Sequence, residues 1–333
     1  MTLESTEDGS VHFVPHPEHD THGFASLADF SRASRSATPR PTWGGADAAL
    51  SGRVERNGFY GGLRLLWSAV VQFYAYHAAK GRAVPPTPGF SASYTTTVPK
   101  QAGLSGSSAI VTACISCLEA LYGKEFVIPH AERPNVVLSA ETALAITAGL
   151  QDRVIQTYGG CMAMDFDGEY MRTHGNCGRY DRIPAELLPR LWLVWGDNPG
   201  DSGTVHANIR ARYDAGEAGV VQAMSAVAEL PLEGSEALVA KDYAKLAQLM
   251  NTNFQLRRRM FGDAALGAFN VHMVQVASSC GAGAKFTGSG GAVVALCPLG
   301  EAQEEQLQRD CAQAGLSCQL VKVHVPDPLP EAA

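Results

Sequence analysis

The sequence predicts an α+β fold, and three observations carry that reading. Strand-like alternation or short apolar runs occur at Ser91–Val98, Cys161–Phe166 and Leu191–Trp195. Stripes of apolar residues at helical spacing lie between them and crowd the second half, filling much of 203–279. The composition, 46% hydrophobic and 18% charged over 333 residues, is that of a folded chain long enough for a large core and two domains.

Taken in order, residues 1–23 hold His12, His16, His19 and His22 separated by prolines and read as irregular surface. The stretch 31–58 is rich in Ser, Arg, Pro, Gly and Ala, has no period, and reads as an irregular insert. After Gly61 and Gly62, LRLLWSAVVQFYAYHAA has little polar face and predicts a buried helix. Ser91–Val98 follows as a strand. Beyond the next glycines, Ile110, Val111, Cys114, Leu118 and Leu121 form a helical stripe that Gly123 ends. Pro134 suits the first turn of a helix running to about Ile146, and Gly149 breaks the pattern. Cys161–Phe166 is a strand with a turn at Asp167–Gly168, and Leu191–Trp195 is a second strand after Pro189. DNPGDSG reads as a loop, and helices follow, among them DYAKLAQLMNTNFQLRRRMFG. GAGAKFTGSGGAVVALCP is a loop running into a strand. A helix, EAQEEQLQRDCAQAG, and a strand, LSCQLVKVHVP, close the chain before a frayed tail.

The charge balance narrows the class of partner. With 33 acidic and 26 basic side chains the net charge is -7, which disfavours nucleic acid and anionic membranes. No segment reaches the roughly 18 apolar residues that span a bilayer. The first ten residues are acidic where a secretory signal is basic. Most of the eight cysteines lie among apolar neighbours, and the Cys114/Cys117 pair has no second pair at zinc spacing. These features predict an intracellular, reducing, cytoplasmic setting and a small-molecule partner.

Three segments carry chemistry. In PKQAGLSGSSA, Gly103 and Gly106 open backbone shapes closed to other residues, and Ser105, Ser107 and Ser108 are good helix starters. A glycine-serine loop opening into a helix presents unpaired N–H groups and the positive end of the helix dipole, an anion site suited to phosphate. A serine hydroxyl there can reach a phosphate-bound magnesium ion. The alternative is an ordinary capped helix. The second segment holds Glu141, in an otherwise apolar helical pattern, and Asp152, just past Gly149. A buried carboxylate is costly unless paired or bound to metal, and either residue alone also reads as solvated or capping. The third, AKFTGSGGAVVAL, sets Gly288, Ser289, Gly290 and Gly291 before a strand, the pattern of a backbone in close approach to something.

PKQAGLSGSSA resembles the central motif of the GHMP kinases, Pro-x-x-x-Gly-Leu-x-x-Ser-Ser-Ala. AKFTGSGGA resembles their third motif, with Ala292 where a glycine often stands. The resemblance implies a two-lobed fold, with a ribosomal-protein-S5-like ATP-binding lobe over 1–190 and a helix-rich lobe over 191–326. It implies ATP and magnesium as cofactors. Gly103, Leu104, Ser105, Gly106, Ser107, Ser108 and Ala109 would wrap the phosphates, and Ser107 and Glu141 would hold the metal. Asp152 would face the acceptor hydroxyl as base or orienter, and Gly288, Ser289, Gly290 and Gly291 would fold against the nucleotide. Ser107, Glu141 and Asp152 are thus the expected catalytic residues, and Lys285 would face phosphate or pack.

Within that family, AETALAITAGLQDRVIQTYGG, NGFYGGLRLL, MNTNFQLRRRMFGD and DNPGDSGTVH resemble the plant-type glucuronokinases. That likeness implies phosphorylation of D-glucuronate at the anomeric hydroxyl, giving 1-phospho-α-D-glucuronate and ADP. The alternatives are a GHMP kinase for galactose, galacturonate or arabinose, or a non-catalytic truncated paralogue. A sugar acid calls for a cation at its carboxylate, and arginine offers the best fork. The candidates are Arg56, Arg64, Arg153, Arg257, Arg258 and Arg259. Arg153 also reads as a surface cation. The family's opening motif, Glu-x-x-Asx-Pro-x-Asp, has no counterpart here, and the first lobe is expected to lack its first strand.

Overall fold

Local pattern and long-range pairing both shape the chain. The computed structural model describes residues 1–7, 9–17, 20, 61–85, 88–99, 102–146, 148–196, 203–288 and 290–324, and over 203–208 the backbone alone. The expected insert at 31–58, His19, His22, Arg56, Lys100, Gln101, the loop at 197–202, Ser289 and the tail beyond 324 lie outside the described residues. Contacts group the chain into two compact units: 1–97 with 107–157 and 167–178, and 98–106 with 158–166 and 179–333.

The first unit opens with strands β1 (Thr2–Thr6) and β2 (Val11–Phe13), so the N-terminus is not the irregular surface that its histidines and prolines suggest. Helix α1 (Gly62–Ala79) follows, then strand β3 (Gly89–Ser93). β3 is central: β1 pairs it antiparallel with Thr2 opposite Ser93, and β2 pairs it parallel with Val11 opposite Phe90. β3 begins two residues before the expected strand and ends at Ser93, where its ladder with β1 stops. TLEST carries a single large apolar residue, so pairing rather than its own pattern makes it a strand.

Helices α2 (Gly106–Tyr122), α3 (Arg133–Ala143), α4 (Gln151–Tyr158) and α5 (Gly168–Thr173) complete this part of the chain. The expected turn at Asp167–Gly168 is the start of α5: Asp167 Oδ1 accepts from Tyr170 N at 2.8 Å. The core is made by Leu66, Phe73, Phe90, Ile115, Leu118 and Val137, all buried. Asp20 Oδ1 accepts from Leu63 N at 3.2 Å, and Tyr94 OH accepts from Gly62 N at 3.2 Å, which satisfies two donors at the start of α1. Glu119 is buried between Ile128 N at 2.8 Å and the guanidinium of Arg133 at 2.5 Å. Burial raises its carboxyl above the ordinary range, while those partners pull it back.

The second unit contains a two-stranded sheet, β4 (Cys161–Asp165) and β5 (Arg179–Ile183), and strand β6 (Leu191–Trp195). Helices α6 (Gly203–Asp214), α7 (Ala218–Val239), α8 (Tyr243–Phe261), α9 (Asp263–Leu266) and α10 (Ala268–Ser279) follow. Strands β7 (Gly283–Phe286) and β8 (Ala292–Leu296), helix α11 (Glu301–Gln313) and strand β9 (Ser317–Leu320) close the described chain. β6 to β9 form one antiparallel sheet in the order β7-β8-β6-β9.

One face of that sheet, with Ala284, Phe286, Val293, Ala295, Trp192 and Val194, packs against α10 and α11. The other carries Leu191, Val294 and Leu296 against Ala247 and Met250 of α8. Alternation of side chains on each strand assigns residues to these two faces. Among the described residues no helix is long and apolar enough to cross a membrane.

Candidate functional site

The three expected catalytic residues lie in one linked group in the first unit. Ser107 stands in the first turn of α2, Glu141 in the last turn of α3 and Asp152 in the first turn of α4. Ser107 Oγ donates to Glu141 Oε1 at 2.7 Å. Arg153 Nε donates to Glu141 Oε2 at 2.5 Å, and its terminal nitrogens reach Glu141 Oε2 and Asp152 Oδ2, the latter at 3.2 Å. Glu141 is 0% exposed and Arg153 3%, whereas the Asp152 side chain is 46% exposed. The surface-cation reading of Arg153 is therefore corrected. Its guanidinium is sealed in, because the buried carboxylate of Glu141 needs a counter-charge.

This arrangement has clear chemical capacities. Ser107 Oγ and Glu141 Oε1 are two hard oxygens at about the separation of neighbouring ligands on one magnesium ion, ~2.9 Å for bonds of ~2.1 Å. Such an ion is normally held by one or two protein oxygens, with phosphates and water as the rest. Among the described residues there is no cluster of three or more His, Cys, Asp or Glu fit for a metal. Asp152, half in solvent, has one oxygen on Arg153 and capacity left to accept a proton or a hydroxyl hydrogen bond.

In the second unit the loop before α2 meets the loop after β7. Thr287 Oγ1 donates to the Gly103 carbonyl at 3.1 Å. Gly103 has φ +66°, and a Cβ there would stand 2.0 Å from the Gly290 carbonyl oxygen, so no other residue fits without displacement. Ser105 also takes a left-handed conformation, φ 59°, which bends the chain just before Gly106 opens the helix. Leu104 sits within this bend, and Ser108 and Ala109 lie in the first turn of α2, with Ser108 buried. Gly288 approaches the Gly103 carbonyl as well, a Cβ there lying at 3.6 Å.

Sequence reasoning missed Asn270. This buried residue of α10 accepts from Gly291 N at 2.8 Å through Oδ1 and donates to Leu266 O at 2.8 Å through Nδ2, fixing the glycine loop. Its only sequence signal is an amide in an apolar helical stripe, AFNVHMV. Lys285 does not join the glycine loop: it lies on β7, partly buried, and its Nζ donates to the Phe286 carbonyl at 2.6 Å. Of the other candidate cations, Arg258 is paired with Asp263 at 2.6 Å, and the exposed Arg259 reaches only Gln255 O at 3.4 Å.

Comparison with known proteins decides the family. The model of the GHMP kinases N terminal domain matches residues 65–160, and that of the GHMP kinases C terminal domain residues 235–314. Glucuronokinase 1 of Arabidopsis thaliana is 44% identical over 316 residues, which is 94% of this chain and 81% of that protein. The chain belongs to the GHMP kinase family. A second Arabidopsis thaliana protein, Probable glucuronokinase 2, is 44% identical over 93% of this chain and 79% of its own length.

The α+β fold of this GHMP kinase is also found in solved structures. A Lin0012 protein from Listeria innocua superposes with a TM-score of 0.64 at 17% identity, covering 80% of each chain. Lactococcus lactis galactokinase complexed with galactose gives 0.60 at 18% identity, covering 78% of this chain and 75% of that one.

Proposed function

We propose that this GHMP kinase transfers the γ-phosphoryl group of ATP to the anomeric hydroxyl of D-glucuronate, giving 1-phospho-α-D-glucuronate and ADP. The observation that carries the reading is the linked set Ser107–Glu141–Arg153–Asp152, in a chain 44% identical to Glucuronokinase 1.

Phosphoryl transfer asks for positioning and for neutralisation of charge rather than for covalent help from the protein. Ser107 Oγ and Glu141 Oε1 are the oxygens proposed to hold a magnesium ion, which when bound neutralises charge on the transferring group. Gly103 to Ala109 are the proposed phosphate cradle: backbone N–H groups at the start of α2, with the positive end of its dipole, favour anionic oxygens. Thr287, Gly288 and Gly290 close on Gly103 and support the shape of that cradle.

Arg153 is a positioning residue: it occupies Glu141 Oε2 and leaves Oε1 to Ser107 and the metal side. Asp152 orients the sugar hydroxyl and accepts its proton as the new oxygen–phosphorus bond forms and the bond to the leaving ADP oxygen breaks. The Arg153 guanidinium beside Asp152 keeps the carboxylate aimed while leaving an oxygen free.

A substrate panel tests the reading. The purified chain with MgATP is offered D-glucuronate, D-galacturonate, D-galactose and L-arabinose with coupled detection of ADP, and the product is identified by phosphorus NMR. The expected result is highest kcat/KM with D-glucuronate and a single anomeric phosphate. Turnover of another sugar without glucuronate overturns the specificity. Nucleotide binding with no turnover of any sugar overturns the enzyme reading.

A further inference from the structure

The loop between β7 and β8 meets the segment 103–106 of the same unit through backbone atoms, and one side chain sets which way that backbone faces. The base of the loop is closed by its own chain, Thr287 N donating to the Ala292 carbonyl at 3.2 Å. Toward its far end stand Gly290 and Gly291, with φ of +139° and +85°.

The peptide that joins these two glycines carries both contacts. Its N–H, on Gly291, donates to Asn270 Oδ1 at 2.8 Å. Its carbonyl oxygen, on Gly290, lies where a Cβ on Gly103 would come within 2.0 Å. The N–H and C=O of a trans peptide point to opposite sides. Holding the N–H on Asn270 therefore turns the carbonyl toward Gly103. With glycine on both sides, the peptide can reverse at low steric cost. The side-chain acceptor, not the backbone, selects its orientation.

Asn270 is itself firmly held. It is the third residue of α10 and 6% exposed. Its Nδ2 donates at 2.8 Å to the carbonyl of Leu266, the last residue of α9, across the turn at Gly267. A carbonyl pairs only with the NH2 end of the amide, so Oδ1 is the end turned to Gly291. The amide also fills the space beside Gly290, where a Cβ would stand 2.9 Å from Nδ2. An apolar residue would fill this helix position without needing partners, so the distinctive effect of the amide falls on the loop.

The segment on the other side of the contact needs support. Gly103 and Ser105 both take left-handed conformations, φ +66° and +59°. A non-glycine residue there persists only where its surroundings hold it. The contacts from the β7–β8 loop are the Gly290 carbonyl against Gly103 and Thr287 Oγ1 donating to the Gly103 carbonyl at 3.1 Å.

We infer that Asn270 is a positioning residue for nucleotide binding: it locks the Gly290–Gly291 peptide with its carbonyl on Gly103, and the locked loop holds the 103–106 turn in its phosphate-receiving shape. This rests on the reading of that turn as part of the phosphate cradle, and Asn270 acts through the two glycines.

The test compares wild type with Asn270→Leu, Asn270→Asp and Leu307→Val. Asn270→Leu keeps the size and removes both bonds. Asn270→Asp keeps an acceptor for the Gly291 N–H. Leu307→Val truncates the core on α11 and removes no bond to the loop. Thermal unfolding establishes that each is folded. Hydrogen exchange is followed over residues 283–296, and calorimetry measures binding of a non-hydrolysable ATP analogue with magnesium.

Asn270→Leu is expected to speed exchange in the loop about fivefold or more and to weaken the analogue about tenfold, the effect of one lost buried hydrogen bond. KM for D-glucuronate is expected to stay within about twofold. Asn270→Asp is expected to lose less affinity than Asn270→Leu, and Leu307→Val to bind within about twofold of wild type. Should Asn270→Leu not fold, Asn270→Ala carries the same expectation. Unchanged exchange or unchanged affinity in the folded variant overturns the proposal. So does an equal loss of affinity in Leu307→Val or Asn270→Asp. Wild type that binds no analogue overturns the cradle reading and the proposal together, whereas binding that survives the loss of Asn270 overturns the proposal alone.

Discussion

Arg153 and Glu141 form a sealed ion pair, with Arg153 Nε donating to Glu141 Oε2 at 2.5 Å. Ser107 takes the other carboxylate oxygen at 2.7 Å, so both oxygens of a fully buried glutamate are engaged by side chains from α2 and α4. A charge in this position is stable only as part of the set.

Glu141→Gln is expected to destabilise the fold by about 3 kcal/mol, because it leaves the Arg153 charge buried and unpaired. Urea unfolding reads that loss. Turnover with saturating ATP is expected to fall at least about a hundredfold, as for removal of a charge-stabilising group. A variant as stable and active as wild type would remove Glu141 from both roles.

Ser107→Ala removes one hydrogen bond, worth about 1 kcal/mol, and one proposed metal ligand. Its expected signature is a higher magnesium requirement at fixed ATP and a kcat lowered about 10- to 100-fold. A magnesium titration that overlays wild type excludes Ser107 as a ligand.

Asp152 is half exposed and touches Arg153 at only 3.2 Å, so Asp152→Asn is expected to change stability by less than about 1 kcal/mol. Its kcat is expected to drop about 10²- to 10⁴-fold if the carboxylate takes the acceptor proton. A loss confined to KM would make it an orienting group alone.

Gly103→Ala places a methyl group against the Gly290 carbonyl at a backbone angle that L residues avoid. The expected cost is about 1–3 kcal/mol of strain, with a raised KM for ATP as the two loops separate. Thermal unfolding and ATP saturation curves measure both. An unaffected KM would separate this contact from nucleotide binding.

Burial, and then Arg257, push the Lys285 ammonium down to about 8. Its neighbour on β8 is Val294, and α10 covers the opposite face with Met273, Val274 and Ala277. The unfolded chain releases that proton near the ordinary lysine value of about 10.4. Between pH 8 and about 10.4 the unfolded state therefore holds more protons, and the wild type gains stability relative to Lys285→Met as pH rises through that window. Below pH 8 the penalty is fully present. Unfolding free energies of the two proteins at pH 7 and pH 9.5 check the sign.

The helices were legible where apolar residues recur at a fixed spacing. Val111, Cys114 and Leu118 are buried on α2 with Ile110 partly buried beside them, and Pro134 lies in the first turn of α3 as read. Gly103 marked its loop because few other residues adopt its backbone shape, whereas Gly106 simply opens α2 and the second left-handed residue is Ser105. β1 and β5 escaped notice: TLEST and RYDRI lack apolar alternation, and TLEST becomes a strand by pairing with β3 far along the chain, RYDRI by pairing with β4 on the other side of α5. The pairing of Arg153 with Glu141 escaped for a related reason. An arginine beside an aspartate at a helix start looks solvated until α3 and α4 pack and bring Glu141 against it. Asn270 became informative only when the glycine loop reached its amide.

Short-range pattern alone determined the family motifs, the helical segments and the residue types needed for phosphate and metal, because propensity and periodicity act between neighbours in the chain. Folding decided that both Glu141 oxygens would be occupied and that Lys285 would be drawn partly out of water. Burial and charge pairing depend on which distant segments come together, and that information exists only in three dimensions.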